Sequence, residues 1–146
     1  METRINVFEK GQKALEALFG IAGYLKKATI EKSLLELVDY RVSQINNCAY
    51  CLDMHSKEAL ANGETIQRLC GLSAWRETPY FTQRERAALA YAEAVNACNV
   101  PDEIYNIAKA EFSDEELIDL TFAIATINTW NRMNIAARTV PGTYQP

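Results

Sequence analysis

Two short segments, Thr82-Gln83-Arg84-Glu85 and Ser113-Asp114-Glu115-Glu116, each set a hydroxyl side chain three residues ahead of a glutamate. At a helix start such a pair satisfies two backbone N–H groups reciprocally, so each segment marks a helix N-terminus. The sequence predicts helices from Thr82 to about Cys98 and from Ser113 to about Arg138, where Val140-Pro141-Gly142 stops the helix. Between them, Pro101 fits the first turn of a helix ending near Phe112.

Upstream the same period holds. Val7, Phe8, Ala14, Leu15, Leu18, Phe19 and Ala22 recur at helical spacing from Val7 to Leu25, despite glycines at 11, 20 and 23. A second helix, capped by Thr29, runs to about Ile45 on Leu34, Leu37, Val38, Arg41, Val42 and Ile45. Asn46-Asn47 reads as a break and an N-cap, which puts Cys48 in the first turn of a helix ending at Asn62-Gly63. A short helix from Glu64 to Cys70 and an irregular stretch with Gly71, Trp75 and Pro79 complete the chain. No segment alternates with period two, so the fold class is all-α, with about six to seven helices in one domain over residues 1–146.

Composition excludes several functions. The formal charge of -4 is modest, and lysines and arginines never cluster beyond Lys26-Lys27, which argues against nucleic acid or an anionic membrane as partner. The apolar stretch Leu117–Ile127 is interrupted by Asp119, Thr121 and Thr126, short of the ~20 residues a spanning helix needs. The charged start Met1-Glu2-Thr3-Arg4 does not read as a signal peptide. Four cysteines without such a signal point to a reducing cytoplasm, with Cys70 and Cys98 expected as small buried hydrophobes.

The remaining two cysteines carry the chemistry. Cys48-Ala49-Tyr50-Cys51 is followed by His55, the single histidine of the chain. At about 100° per residue, positions 48, 51 and 55 fall within roughly 60° of one another on a helix. His55 then lies ~6 Å along the axis from Cys51 and ~10 Å from Cys48, at ~1.5 Å per residue. Imidazole and helix N-terminus both favour a thiolate, so Cys51 is the expected nucleophile, activated by His55, with Cys48 the resolving thiol. The opposite assignment stays open because Cys48 lies nearer the positive end of the helix dipole.

Simpler readings compete. The pair could pack as two small apolar residues beside a surface histidine. A structural zinc site would need a fourth ligand from Cys70, Cys98 or a carboxylate. Glu36, set within Leu34-Leu35-Glu36-Leu37-Val38, could face solvent or pair with Lys32 or Arg41; facing the cysteine helix, it could instead hold the His55 tautomer. No metal or organic cofactor is expected.

Glu36, twelve residues ahead of Cys48-x-x-Cys51-x-x-x-His55, resembles the active-site motif of the alkylhydroperoxidase AhpD-like group in the carboxymuconolactone decarboxylase superfamily. Trp75-Arg76, Arg84 to Leu89 and Thr126 to Arg132 extend the resemblance to its compact single-domain members. The resemblance implies a hydroperoxide substrate and a dithiol reductant, of lipoyl type in AhpD. It implies that Cys51 is oxidised to sulfenic acid and resolved by Cys48, with Glu36 and His55 as proton relay. AhpD itself carries a further histidine after the first cysteine, where this chain has Ala49 and Tyr50, so His55 carries the imidazole chemistry alone.

Superfamily members that decarboxylate a lactone generally lack the cysteine pair, which argues against that reaction here. The resemblance also implies a homo-oligomer, a trimer or hexamer, to which Trp75, Tyr80, Phe81 and Trp130 could contribute if they are not core. Asn131 and Arg132 are expected in structural or interface contacts before ligand contacts. A thiol-dependent hydroperoxide reductase is the leading reading, and a non-enzymatic redox sensor or disulfide-exchange module using the same pair is the alternative.

Overall fold

A computed structural model describes residues 1–146 and contains helices only. Eight α-helices follow in order: α1 (Val7–Lys10), α2 (Gln12–Leu25), α3 (Lys32–Ile45), α4 (Ala49–Ala61), α5 (Ile66–Gly71), α6 (Gln83–Asn96), α7 (Asp102–Glu111) and α8 (Asp114–Ala137). A short 3₁₀ helix over Leu72–Glu77 fills the stretch expected to be irregular. The count exceeds six to seven because Gly11 divides the first predicted helix. Its N–H caps α1 on the Val7 carbonyl, and a Cβ at this position would meet that oxygen at 2.8 Å, a contact only glycine avoids. Gly20 and Gly23 face open space within α2 and leave it intact.

Both capping boxes form as expected. Thr82 Oγ1 accepts from the Glu85 N–H (3.2 Å) while Glu85 Oε2 accepts from the Thr82 N–H (2.7 Å). Ser113 and Glu116 repeat the exchange at 3.2 and 2.8 Å. Thr29 does not cap α3. The last turn of α2 runs on through Lys26, Lys27 and Ala28, whose N–H groups bond back to Ala22, Tyr24 and Leu25, so the helix begins only after Glu31.

Helix α3 is the central element and buries a different face on each side. Leu34, Val38 and Val42 join Ala88, Ala92, Leu120, Ile124 and Ile127 in the main core, between α6 and α8. Leu37 packs into a smaller cluster with Ala59, Leu69, Leu72, Trp75, Phe81 and Leu89. Burial of each large aliphatic side chain contributes about 1.5–3 kcal/mol, which holds α3 in place from both directions. Trp75 and Phe81 are therefore core residues, whereas Tyr80 is exposed.

Cys70 and Cys98 are exposed, contrary to expectation. On α5 the inward position belongs to the neighbouring Leu69. Cys98 has a left-handed backbone (φ 53) just beyond the end of α6, in a turn that faces solvent. No group of three or more His, Cys, Asp or Glu side chains is placed to hold a metal ion. No helix is long and apolar enough to cross a membrane.

Candidate active site

The α3–α4 junction builds the site from local backbone chemistry. Asn47 takes the left-handed region (φ 57), which asparagine tolerates, and this turns the chain one residue later than the sequence suggests. Cys48 is consequently the N-cap of α4 and lies outside its first turn. Its sulfur accepts from the Cys51 N–H at 3.4 Å and is joined to Cys51 in a disulfide, with the Cα atoms 5.3 Å apart. A sulfur in the cap position is the one the helix N-terminus stabilises as thiolate.

Cys51 and His55, one turn apart on α4, share a different environment. Both are buried, and both line a cavity of about 810 Å³ enclosed by α2, α3, α4, α8 and the C-terminal segment. Cys48 is not among its lining residues. The walls are mostly apolar, with Phe19, Leu25, Leu35, Met54 and Trp130 prominent, and Phe19 stacks obliquely on Trp130 (5.4 Å). Tyr50, the residue that stands near AhpD's extra histidine, also lines the cavity; burial pushes its phenol up, reinforced by Asp53 and Glu58.

His55 is held in a particular protonation state. Burial pulls the imidazole down from 6.5 to about 4, partly offset by the charge of Glu58, so at neutral pH the ring is uncharged and able to accept a proton. Its Nε2 is buried without a hydrogen-bond partner, and its Nδ1 lies 3.6 Å from Glu58 Oε2. An orphaned imidazole nitrogen costs roughly 1–3 kcal/mol, a cost that persists where chemistry uses the atom.

Glu36 lines the same cavity but is not hydrogen bonded to His55. Its carboxylate accepts from Asn62 Nδ2 (2.7 Å) and pairs with Lys32 (3.4 Å), one of the two partners the sequence offered. Arg41, the other, instead binds Glu93 at 2.8 Å together with the Trp75 indole. Burial raises the Glu36 carboxyl above its ordinary value, with Lys32 opposing. Of the four residues singled out in the sequence, Cys51, His55 and Glu36 line one cavity, and Cys48 is joined to Cys51 outside it.

Three residues were missed. Asp39, one turn beyond Glu36, also lines the cavity, and burial together with Glu58 and Glu36 pushes its carboxyl well above the usual carboxylate range. Asn134 of α8 donates its Nδ2 to the Cys51 sulfur at 3.7 Å and to the Trp130 carbonyl at 2.9 Å, leaving a buried Oδ1 without a partner. Glu58 could have been marked by its i,i+3 spacing from His55. Asn134, 83 residues from Cys51, had no such local signal.

Known proteins are similar to this chain in sequence and in fold. A family model described as the carboxymuconolactone decarboxylase family matches residues 11–94. The uncharacterized protein YdfG of Bacillus subtilis (strain 168) is 36% identical over 139 residues, 93% of this chain and 95% of that protein. A crystal structure of a protein of unknown function from Agrobacterium tumefaciens, provisionally named an antioxidant defence protein AhpD, superposes with a TM-score of 0.93 at 37% identity, covering 98% of this chain and 100% of that one. The debrominase Bmp8 (TM-score 0.83, 21% identity, 92% of this chain and 74% of that one) shares the fold. With its cysteine segment inside the matched region and its fold shared over nearly the whole length, this chain belongs to the carboxymuconolactone decarboxylase family, among its AhpD-like members.

Proposed function

We propose that the protein is a thiol-dependent hydroperoxide reductase that cycles Cys48 and Cys51 between dithiol and disulfide. The observation that carries this reading is the asymmetry of the pair: Cys51 faces a large apolar cavity beside a neutral imidazole, while Cys48 is buried behind it in the helix cap. A nucleophile needs access and a base, and a resolving thiol needs only its partner.

In the cycle His55 takes the Cys51 proton, and the thiolate attacks the terminal oxygen of an organic hydroperoxide. The O–O bond breaks, the leaving alkoxide takes up the proton to become an alcohol, and Cys51 becomes sulfenic acid. Cys48 then attacks that sulfur; the S–S bond forms and the hydroxyl departs as water. A dithiol, of lipoyl type as the family resemblance suggests, returns two electrons and two protons and becomes a disulfide itself. Because the helix cap favours the Cys48 thiolate, Cys48 is also the better leaving group when the disulfide is reduced. Asn134 supports the Cys51 thiolate by its N–H, and Glu36 exchanges protons with His55 through the cavity. The cavity walls fit an apolar organic group.

Steady-state consumption of cumene hydroperoxide with dihydrolipoamide tests the reading. Wild-type protein turns over repeatedly and Cys51→Ser is inactive. Protein that oxidises once and is re-reduced by no dithiol would instead be a redox sensor. The cycle requires a reducing compartment, as the cytoplasm is. Self-association is supported by Ile118, Phe122 and Ile135, apolar side chains of α8 exposed on the single chain, and sedimentation velocity reads the oligomer directly.

A further inference from the structure

Two residues of the segment after α8's C-cap, Gly142 and Tyr144, are bonded to α4. Asp53 Oδ2 accepts from the Gly142 N–H (2.9 Å), Lys57 Nζ donates to the Tyr144 carbonyl (3.1 Å), and the Tyr144 hydroxyl donates to Glu58 Oε1 (2.6 Å). Lys57 and Asp53 are themselves paired at 2.9 Å, so the stretch of α4 from Asp53 to Glu58 anchors Gly142 and Tyr144. The consequence is at Glu58. With Oε1 fixed by Tyr144, its other oxygen, Oε2, is the one 3.6 Å from His55 Nδ1.

We propose that Glu58, held by the Tyr144 hydroxyl, is the positioning residue that accepts a hydrogen bond from the Nδ1–H of His55 and so leaves Nε2 free to take the proton of Cys51. A neutral imidazole can act as base at Nε2 only if its proton resides on Nδ1, and an acceptor beside Nδ1 selects that tautomer. Glu58 is the carboxylate in that place. Glu36 is already bound to Asn62 and Lys32. The separation of 3.6 Å is longer than a hydrogen bond in the disulfide form, and it shortens when the ring gains positive character as it accepts the Cys51 proton.

The groups that face Glu58 are Glu36 and Asp39 from α3, Tyr50 and His55 on its own helix, and Tyr144 from the C-terminal segment. Its bond to Glu58 pushes the Tyr144 phenol up to about 12, so that hydroxyl stays a donor throughout the working range. The C-terminal segment thereby becomes part of the catalytic apparatus.

This inference rests on His55 being the base for Cys51, and the lone histidine makes both parts measurable. In reduced Cys48→Ser protein, the ¹⁵N resonances of the single imidazole report its tautomer, and the pH profile of Cys51 alkylation by iodoacetamide reports its thiol. Glu58→Ala, at a side chain 35% exposed, is expected to move the tautomer from Nδ1–H toward a mixture and to slow alkylation at pH 7 about tenfold, equivalent to about one pH unit. Tyr144→Phe, which removes only a hydroxyl, is expected to do the same by about threefold, about 0.7 kcal/mol. Glu36→Gln leaves the tautomer unchanged. An Nδ1–H tautomer and an alkylation profile both unaltered in Glu58→Ala and Tyr144→Phe would overturn the inference, as would a tautomer that responds to Glu36→Gln alone. Alkylation unaffected by His55→Ala would overturn the base reading itself.

Discussion

Two regions of the protein that bury polar side chains treat them oppositely. Beneath the α3–α4 turn, Asn46 Nδ2 shares its two hydrogens among the side-chain oxygens of Asn96, Asn128 and Asn131 at 3.2, 3.1 and 2.9 Å, and Asn131 Nδ2 donates to Ser43 Oγ at 3.0 Å. Around the cavity, His55 Nε2 and Asn134 Oδ1 are buried with no partner, and Asp39 and Glu36 are pushed toward protonation. The two regions lie on the same helices, since Asn131 and Asn134 are less than one turn apart on α8. Fully satisfied, a buried network fixes the turn that presents Cys48; left unsatisfied, the neighbouring groups remain available to react. One region is closed by its own hydrogen bonds and the other leaves polar atoms without partners.

The comparison breaks first at His55. Its replacement by alanine is expected to lower hydroperoxide turnover 10²–10⁴-fold, about 3–5 kcal/mol of barrier, with the fold retained by circular dichroism. Next comes acid sensitivity. The unfolded chain protonates His55 near 6.5 and the folded one only near 4, so the unfolded state binds the extra proton between these values. Stability due to neutral His55 is therefore complete above about pH 6.5 and is lost as pH falls toward 4, by roughly 3 kcal/mol. Urea unfolding across that window reads it as the difference between wild type and His55→Asn. The difference is needed because the raised carboxyls of Asp39 and Glu36 act with the opposite sign, disfavouring the fold as pH rises.

In the satisfied region, Asn131→Ala leaves the Asn46 amide and Ser43 hydroxyl short of a partner and is expected to cost about 2 kcal/mol, read by the same unfolding. Asn134→Ala removes an oxygen that had no partner in the first place, so its stability cost is expected within about 1 kcal/mol while Cys51 alkylation slows. Equal losses of stability at positions 131 and 134 would erase the distinction between the regions.

Much of this was legible in residues whose interactions are local. Thr82 with Glu85 and Ser113 with Glu116 were readable because a capping box closes within four residues. Cys51 and His55 were readable because they lie one turn apart on one helix face, and Cys48 because it stands at the start of that helix. The cap at Cys48 was missed by one residue, since asparagine fits both an N-cap and a left-handed turn and position 47 took the second role. Cys70 and Cys98 were misjudged because a small apolar residue carries no signal about which way its turn faces. Glu36 was recognised by its spacing, yet what it bonds was decided by Asn62, which α4 brings to it from 26 residues away.

By itself the sequence determined that this chain is helical, where most helices start, and that Cys51 and His55 share a helix face with Cys48 just ahead of it, because these follow from backbone periodicity and contacts a few residues long. Only the tertiary structure decided that Cys51 and not Cys48 opens on a cavity, that Asn134 reaches its sulfur, and that Glu58, beside His55, also accepts from Tyr144. Those facts depend on packing α3, α4, α8 and the C-terminal segment around one space, and pairings 83 to 86 residues apart leave no periodic trace in the chain.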